Sequence, residues 1–237
     1  MSDPLFEVID ATWPAASVRD LGGFRIREGR GGGSRVSAAS LLGSLENADI
    51  DAAIAAQRSL GQEPTFLLRP GEDALDAALA KRGFETFDPV VILMADLAAL
   101  PREVPPVTAF AHWPPLAIAR DIWAENGIGP ARQAILDRAG TPKAAVLGRS
   151  RDRAAGAAFV AIHDRIAMLH ALVVAPDFRR QGLARAIMAE ACRWAATEGA
   201  TRLSLVVTKA NTAALALYRD LGLQPACAYH YRREARK

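Results

Sequence analysis

Cysteine is nearly missing from this 237-residue chain: Cys192 and Cys227 are the only two. They supply neither a disulfide framework nor the paired spacing of a metal site, so a reducing cytoplasm is the expected setting and no metal is expected. Charge of one sign is not in excess either, with 29 Lys and Arg against 26 Asp and Glu. The basic residues are scattered except at Arg232, Arg233 and Arg236, which read as a solvated tail, and no nucleic-acid partner is expected. No apolar run approaches the ~18 residues of a membrane-spanning helix. The N-terminus Met1-Ser2-Asp3-Pro4 lacks the basic and apolar regions of a secretory signal, so no membrane association is expected. Also absent are the three-glycine dinucleotide fingerprint and a P-loop with its Lys-Ser/Thr pair.

What is present is an apolar strand that runs through a basic, glycine-containing turn into a helix: Val173-Val174-Ala175-Pro176-Asp177-Phe178-Arg179-Arg180-Gln181-Gly182-Leu183-Ala184. The following helix carries Leu183, Ile187, Ala191, Trp194 and Ala195 at spacings of three and four, so its first turn lies near Gly182. Free backbone N–H groups there, the helix dipole and Arg179 favour an anion. Downstream, Arg202 to Val207 suits a buried strand. Asn211 then sits as an N-cap before a short helix through Tyr218 that closes at Gly222. The seven-residue step from Asn211 to Tyr218 is close to two helical turns, so both side chains can face one groove.

The turn R-x-x-G-x-A, followed by a second motif N-x-x-A-x-x-L-Y-x-x-x-G with Leu223 where a Phe is usual, resembles the GCN5-related N-acetyltransferase (GNAT) superfamily. The resemblance covers most of residues 165 to 225. It implies an α/β (α+β) fold: a mixed, mainly antiparallel sheet flanked by helices, with acetyl-CoA as acyl donor. The donor-binding positions it implies are Leu172, Val173, Val174, Arg179, Arg180, Gln181, Gly182, Leu183, Ala184, Asn211 and Ala214.

The proline-rich stretch from Leu100 to Pro106 cannot continue a helix or a central strand and divides the chain. Residues 107–237 hold the motifs and form the expected catalytic domain. Residues 1–100 read as a degenerate, non-catalytic copy of the same plan, a tandem form. Strand 65–68, a helix from Glu72 to Arg82 and a strand from Pro89 to Met94 repeat the final unit of the second half. Aligning Gly83 with Gly222 sets Glu72 opposite Asn211 and Leu79 opposite Tyr218. The run Arg30-Gly31-Gly32-Gly33-Ser34-Arg35 leads into Val36-Ser37-Ala38-Ala39, which reads as a hairpin loop continuing as strand, with a phosphate loop as the other possibility.

The reaction the resemblance implies is direct transfer, in a ternary complex, of an acetyl group to a primary amine of a small molecule or amino-acid-like acceptor. An alkylammonium has a pKa of about 10 and needs a base. His170 is a candidate on a strand that is similar to that of arylalkylamine N-acetyltransferases, with Met168 where those enzymes carry another histidine; the other reading is a core histidine. Tyr218 matches the family's general acid for the departing thiolate, or packs on the sheet. The Val174 N–H corresponds to the donor for the thioester oxygen. Asn211 bonds the pantetheine or only caps its helix. Cys192 lies at a core-like position, and no cysteine nucleophile is expected. Trp113, Trp123, Glu125, Asn126, Tyr229 and two histidines, His163 and His230, are the plausible acceptor-lining residues. Transfer of a longer acyl group, or coenzyme sensing without turnover, would use the same cradle. The chain is compatible with a monomer or a homodimer.

Overall fold

Two short parallel strand pairs, each bridged by a helix, organise one continuous sheet. The computed structural model describes residues 4–235. The first half contains α1 (Pro4–Thr12), the hairpin β1 (Ser17–Leu21) and β2 (Phe24–Glu28), the one-turn α2 (Ser34–Ser37), β3 (Ala39–Leu41), α3 (Ile50–Ser59), β4 (Thr65–Leu68), α4 (Asp73–Lys81) and β5 (Phe84–Asp96). The second half contains β6 (Ala109–His112), α5 (Ala117–Glu125), α6 (Pro130–Arg138), β7 (Lys143–Ser150), β8 (Arg153–His163), β9 (Ile166–Val174), α7 (Leu183–Thr197), β10 (Arg202–Thr208), α8 (Thr212–Asp220) and β11 (Gln224–Glu234). Among the described residues no helix is long and apolar enough to cross a membrane.

The 11 strands lie in the order β1-β2-β3-β4-β11-β5-β10-β9-β8-β7-β6. Only β3/β4 and β9/β10 run parallel, each joined by a helical crossover as parallel neighbours require. The irregular 101–106 segment falls where the sequence placed a boundary, but the sheet does not break there. Each half instead sends its last strand into the other. β5 pairs with β10 from Val90↔Thr208 to Asp96↔Arg202, and β11 pairs with β4 from Leu68↔His230 to Thr65↔Arg233. β5 and β11 then pair antiparallel with each other at the centre.

The final strand-helix-strand units of the two halves share local features at their helix ends. Glu72 and Asn211 occupy the N-cap positions of α4 and α8, and both helices are followed by a left-handed glycine, Gly83 at φ 82° and Gly222 at φ 101°. Leu79 is fully buried where Tyr218 stands in the second half. Glu72 pairs with Arg69, whose guanidinium also donates to the Leu41 carbonyl between β3 and β4.

Core packing follows the sheet's two faces. α7 lies on one, where Ile187 fills the space left by Gly148 and Gly156 on β7 and β8; a Cβ on Gly148 would come within 2.6 Å of it. Cys192 is buried in this layer, which pushes its thiol up to about 12, a poor nucleophile. On the other face Trp13, Trp123 and Phe159 pack with α5 and α6. In the first half Phe24, Phe66 and Phe84 meet edge to face at 5.5 and 5.6 Å.

Two local expectations change. The loop after β2 does lead back to an antiparallel partner, but residues 34–37 form a helical turn and β3 begins only at Ala39. Gly32 explains this, since its bare Cα lets the turn fold onto Val36 and Ile135. Nor do Arg232 and Arg233 belong to a solvated tail. Arg232 lies on β11 paired to Asp76 of α4 at 2.6 Å, and holds that carboxyl down to about 2. Arg233 stacks over Phe87 at 4.5 Å. Arg236 lies outside the described residues, as do Met1, Ser2 and Asp3.

The strand exchange has a testable consequence. A fragment of residues 107–237 lacks β5, whose Val90, Val91, Ile92 and Leu93 are all buried. At about 1.5–3 kcal/mol per buried aliphatic side chain, their loss rivals a typical net stability of ~5–15 kcal/mol. The fragment is expected to show no cooperative thermal transition by circular dichroism, whereas the full chain unfolds as one unit.

Candidate active site

The turn after β9 is built by its backbone. A single 3₁₀ turn spans Pro176–Phe178, Arg180 takes φ 60°, Gly182 takes φ 84°, and α7 starts at Leu183. Only glycine adopts that N-cap conformation freely. A Cβ on Gly182 would meet nothing within 4 Å, so the first turn of α7 faces open space. Its leading N–H groups have no intrahelical partners, and Arg179, Arg180 and Arg185 stand around them.

Beside this turn the sheet opens. The β9/β10 register ends at Leu169↔Leu205. On the other side of β9 a bulge interrupts pairing with β8, and Ala171 takes φ 52° with its carbonyl accepting from Trp123 Nε1 at 2.8 Å. Ala175 N–H bonds the Ala155 carbonyl at 2.8 Å. By alternation the polar groups of Val174 then face away from β8, and its carbonyl accepts from Arg179 Nε at 2.9 Å across the cleft.

The resulting cleft encloses about 570 Å³ and is lined by Leu172, Val174, Arg179, Arg180, Gly182, Leu183, Ala184, Asn211, Ala214 and Tyr218, among others. Behind it lies an inner cavity of about 210 Å³ between the parting strands, lined by Arg35, His170, Ala171, Leu172, Val206, Thr208, Asn211, Ala214 and Tyr218. Leu172, Asn211, Ala214 and Tyr218 line both spaces. Asn211 also caps α8, its Oδ1 accepting from Ala214 N–H at 3.1 Å. Tyr218 is 8% exposed, and burial pushes its phenol up to about 12, so it holds its proton at neutral pH.

Residues 108–223 match the acetyltransferase (GNAT) family. The matched segment is GNAT-like. It is 25% identical over 233 residues to the uncharacterized N-acetyltransferase YobR of Bacillus subtilis (strain 168), covering 94% of each chain. Its fold is similar to that of a GCN5-related N-acetyltransferase from Kribbella flavida, with TM-score 0.71, 17% identity and coverage of 99% of this chain and 95% of that one. A putative GNAT-family acetyltransferase from Novosphingobium aromaticivorans DSM 12444 superimposes with TM-score 0.62 at 15% identity, covering 99% of this chain and 100% of that one. Residues 108–223 thus match acetyltransferases of a family that uses acetyl-CoA.

Two positions expected at the donor site do not line this cleft. Val173 projects to the opposite sheet face, into the layer of Trp123 and Phe159, because neighbouring strand residues alternate. Gln181 is tied up by the turn, accepting from Arg151 at 2.9 Å and donating to the Asp177 carbonyl at 2.9 Å. His170 is 4% exposed, stacked on Trp13 at 4.8 Å, with Nε2 2.9 Å from Thr12 Oγ1 and Nδ1 3.3 Å from Arg35 Nη1. Arginine can only donate, so Nδ1 is the acceptor and Nε2 carries the hydrogen. The lone pair that a base would use is therefore engaged. Burial first, and the Arg35 charge second, hold the ring well below the usual histidine range.

A third space of about 260 Å³ adjoins the inner cavity, sharing Arg35, Ala171, Val206 and Thr208, and includes Trp13, Gly33, Asp88, Arg132, Tyr229 and Tyr231. Of the residues expected to line the acceptor side, only Tyr229 lines this space. Trp123 is buried beneath the Ala171 bulge, Asn126 accepts from Arg179 at 3.4 Å, and His230 bonds Asp76 at 2.8 Å. Trp113 packs under Lys143, and Glu125 and His163 are exposed. Arg35, Arg132 and Thr208 were missed; the glycine run before Arg35 was the one signal pointing to them.

His170 makes stability depend on pH. The unfolded chain takes up the His170 proton below about pH 6.5, whereas the folded ring resists it. Stability therefore falls as pH drops from about 6.5, by up to ~1.4 kcal/mol per unit for this group. In thermal melts between about pH 7 and 5 the His170→Gln variant should lose part of the parent's decline in Tm; an unchanged slope would contradict a buried neutral ring.

Proposed function

We propose that this protein transfers an acetyl group from acetyl-CoA directly to the primary amine of a small molecule or amino-acid-like acceptor, both substrates being bound together. One observation carries the reading: Tyr218 lines both the outer cleft beside the Gly182 turn and the inner cavity between β9 and β10. A donor entering along the turn and an amine entering from within would meet at its hydroxyl. The turn's N–H groups and arginines suit the coenzyme's phosphates, and the Val174 N–H suits the developing oxyanion. Nitrogen–carbon bond formation is matched by cleavage of the carbon–sulfur bond; the neutral Tyr218 phenol supplies a proton to the departing thiolate and is restored by the proton that the nitrogen sheds as the amide forms.

His170 has a positioning role in this proposal, holding Arg35 and filling the space beneath the bulge. The acceptor then reacts as the free amine drawn from its equilibrium with ammonium. The first half, with its repeated strand-helix-strand unit, Leu79 in place of Tyr218 and Arg69 occupying the gap between β3 and β4, is read as a degenerate GNAT-like unit that shapes the site without turning over.

Calorimetry with acetyl-CoA should show saturable binding that Gly182→Glu abolishes, since the new carboxylate enters the anion cradle. Tyr218→Phe should lower kcat by about 10²-fold or more while leaving acetyl-CoA affinity within a factor of about two. Binding without any transfer, unaffected by that substitution, would identify a sensor instead.

The free-amine route carries its own test. Log kcat/KM should rise with slope near one from about pH 6 to 9, because the free-base fraction of an amine with pKa about 10 grows tenfold per unit. An enzyme-derived plateau above about pH 6.5, lost in His170→Gln, would return the base role to that residue.

A further inference from the structure

The glycine run of the first half sets two uncompensated guanidinium groups on the wall of the space behind the catalytic cavity. Gly31, Gly32 and Gly33 pass over α6, and at Gly32 the approach is closer than a side chain permits. A Cβ on Gly32 would lie 2.7 Å from Val36 Cγ2 and 2.8 Å from Ile135 Cδ1, and one on Gly33 would lie 3.3 Å from Arg132 Nη2. Gly33 also takes φ 93°, open to glycine and strained for other residues. The loop thereby seats Arg35, from the first half, on the same cavity wall as Arg132, from the second.

Neither cation is neutralised. Among the described residues no carboxylate oxygen comes within 4 Å of either guanidinium, and Asp88 on the same cavity lies beyond that limit. Arg35 rests against Trp13, with Cζ 5.9 Å from the ring, and contacts the neutral His170. Its Nε is buried with no hydrogen-bond partner among the described residues. A buried donor left unpaired is unfavourable. Two cations facing one carboxylate leave this space net positive, and their planar donor sets match an oxyanion.

We propose that the acceptor is an amine that also carries an oxyanion, either carboxylate or phosphate, which Arg35 and Arg132 hold while the amine stands in the inner cavity beside Tyr218. This rests on the acetyl-transfer reading above. The two adjoining spaces, of about 210 and 260 Å³, set the size of such a molecule. The product keeps the anion and loses the ammonium charge, so it leaves one unit more negative than the acceptor entered.

The test uses matched amines with the full-length protein, following CoA release. 4-Aminobutyrate is paired with butylamine, lysine with 1,5-diaminopentane, and O-phosphoethanolamine with ethanolamine. The anionic member of at least one pair should have a kcat/KM about 10–100-fold higher, the range expected for a charge-assisted contact. Which pair shows it distinguishes carboxylate from phosphate. Arg132→Gln, at an exposed position that should not disturb folding, should raise KM for that member about tenfold or more with kcat little changed and acetyl-CoA affinity intact. Arg35→Lys should do the same while retaining the parent Tm within a few degrees. Equal handling within every pair, preference for the uncharged amines, or insensitivity to Arg132→Gln would overturn the proposal even with acetyl-CoA bound normally. So would failure to use any anionic member. Failure to bind acetyl-CoA would instead remove the reading beneath it.

Discussion

Pairing of β5 with β10 and of β11 with β4 is the constraint on which the rest of the structure depends. Each half ends in a strand that its own penultimate strand does not take up. The centre of the sheet is therefore made of two strands, β11 and β5, that each belong by sequence to one half and are hydrogen-bonded on both sides to strands of the other. Side-chain contacts fasten the exchange: Arg232 on β11 reaches Asp76 on α4, and Ser204 on β10 donates to the Leu93 carbonyl of β5 at 3.0 Å. Because the halves cannot slide apart without breaking the sheet, side chains from one can be positioned against the other with little freedom. That rigidity is what allows Thr12, Trp13 and Arg35 to meet His170.

The opening between β9 and β10 arises from the same frame. β10 is held on its far side by β5 along its whole length, while β9 is bent by the Ala171 bulge, which Trp123 pins from the helical layer below. The two strands part after Leu169 and Leu205 and leave backbone groups without strand partners, a condition that buried structure ordinarily avoids. Arg179 satisfies one of them at the Val174 carbonyl. In the first half the corresponding gap is occupied by Arg69 on the Leu41 carbonyl.

Much of the second half was legible because its signals are local. The turn before α7 needs Gly182 at positive φ, Asn211 caps α8, and the three-and-four spacing of Leu183, Ile187 and Ala191 sets which side of α7 is buried. The overall mixed sheet followed from the same order of elements. Strand exchange was not legible, since alternation and β propensity state that a segment is a strand and not which strand lies beside it. The environment of His170 was hidden for a related reason: its two ring partners come from 135 and 158 residues away in the chain. A buried histidine and a catalytic one look alike until those partners are in place. Val173 and Gln181 show the limit in miniature, as neighbours in a motif whose side chains turn to the other sheet face or back onto the turn itself.

The glycine loop on α6 has a wider consequence. The donor-side surface is drawn from residues 172–218, whereas the opposite wall takes Trp13, Gly33 and Arg35 from a distant segment. The fit of that wall depends on atoms that are missing, the absent Cβ groups of Gly32 and Gly33. One methyl group added there would shift the Arg35 side of the chamber without touching the turn at Gly182. In the proposed reaction, selectivity for one substrate and affinity for the other are thereby written in separate stretches of chain, so that either can be altered without the other.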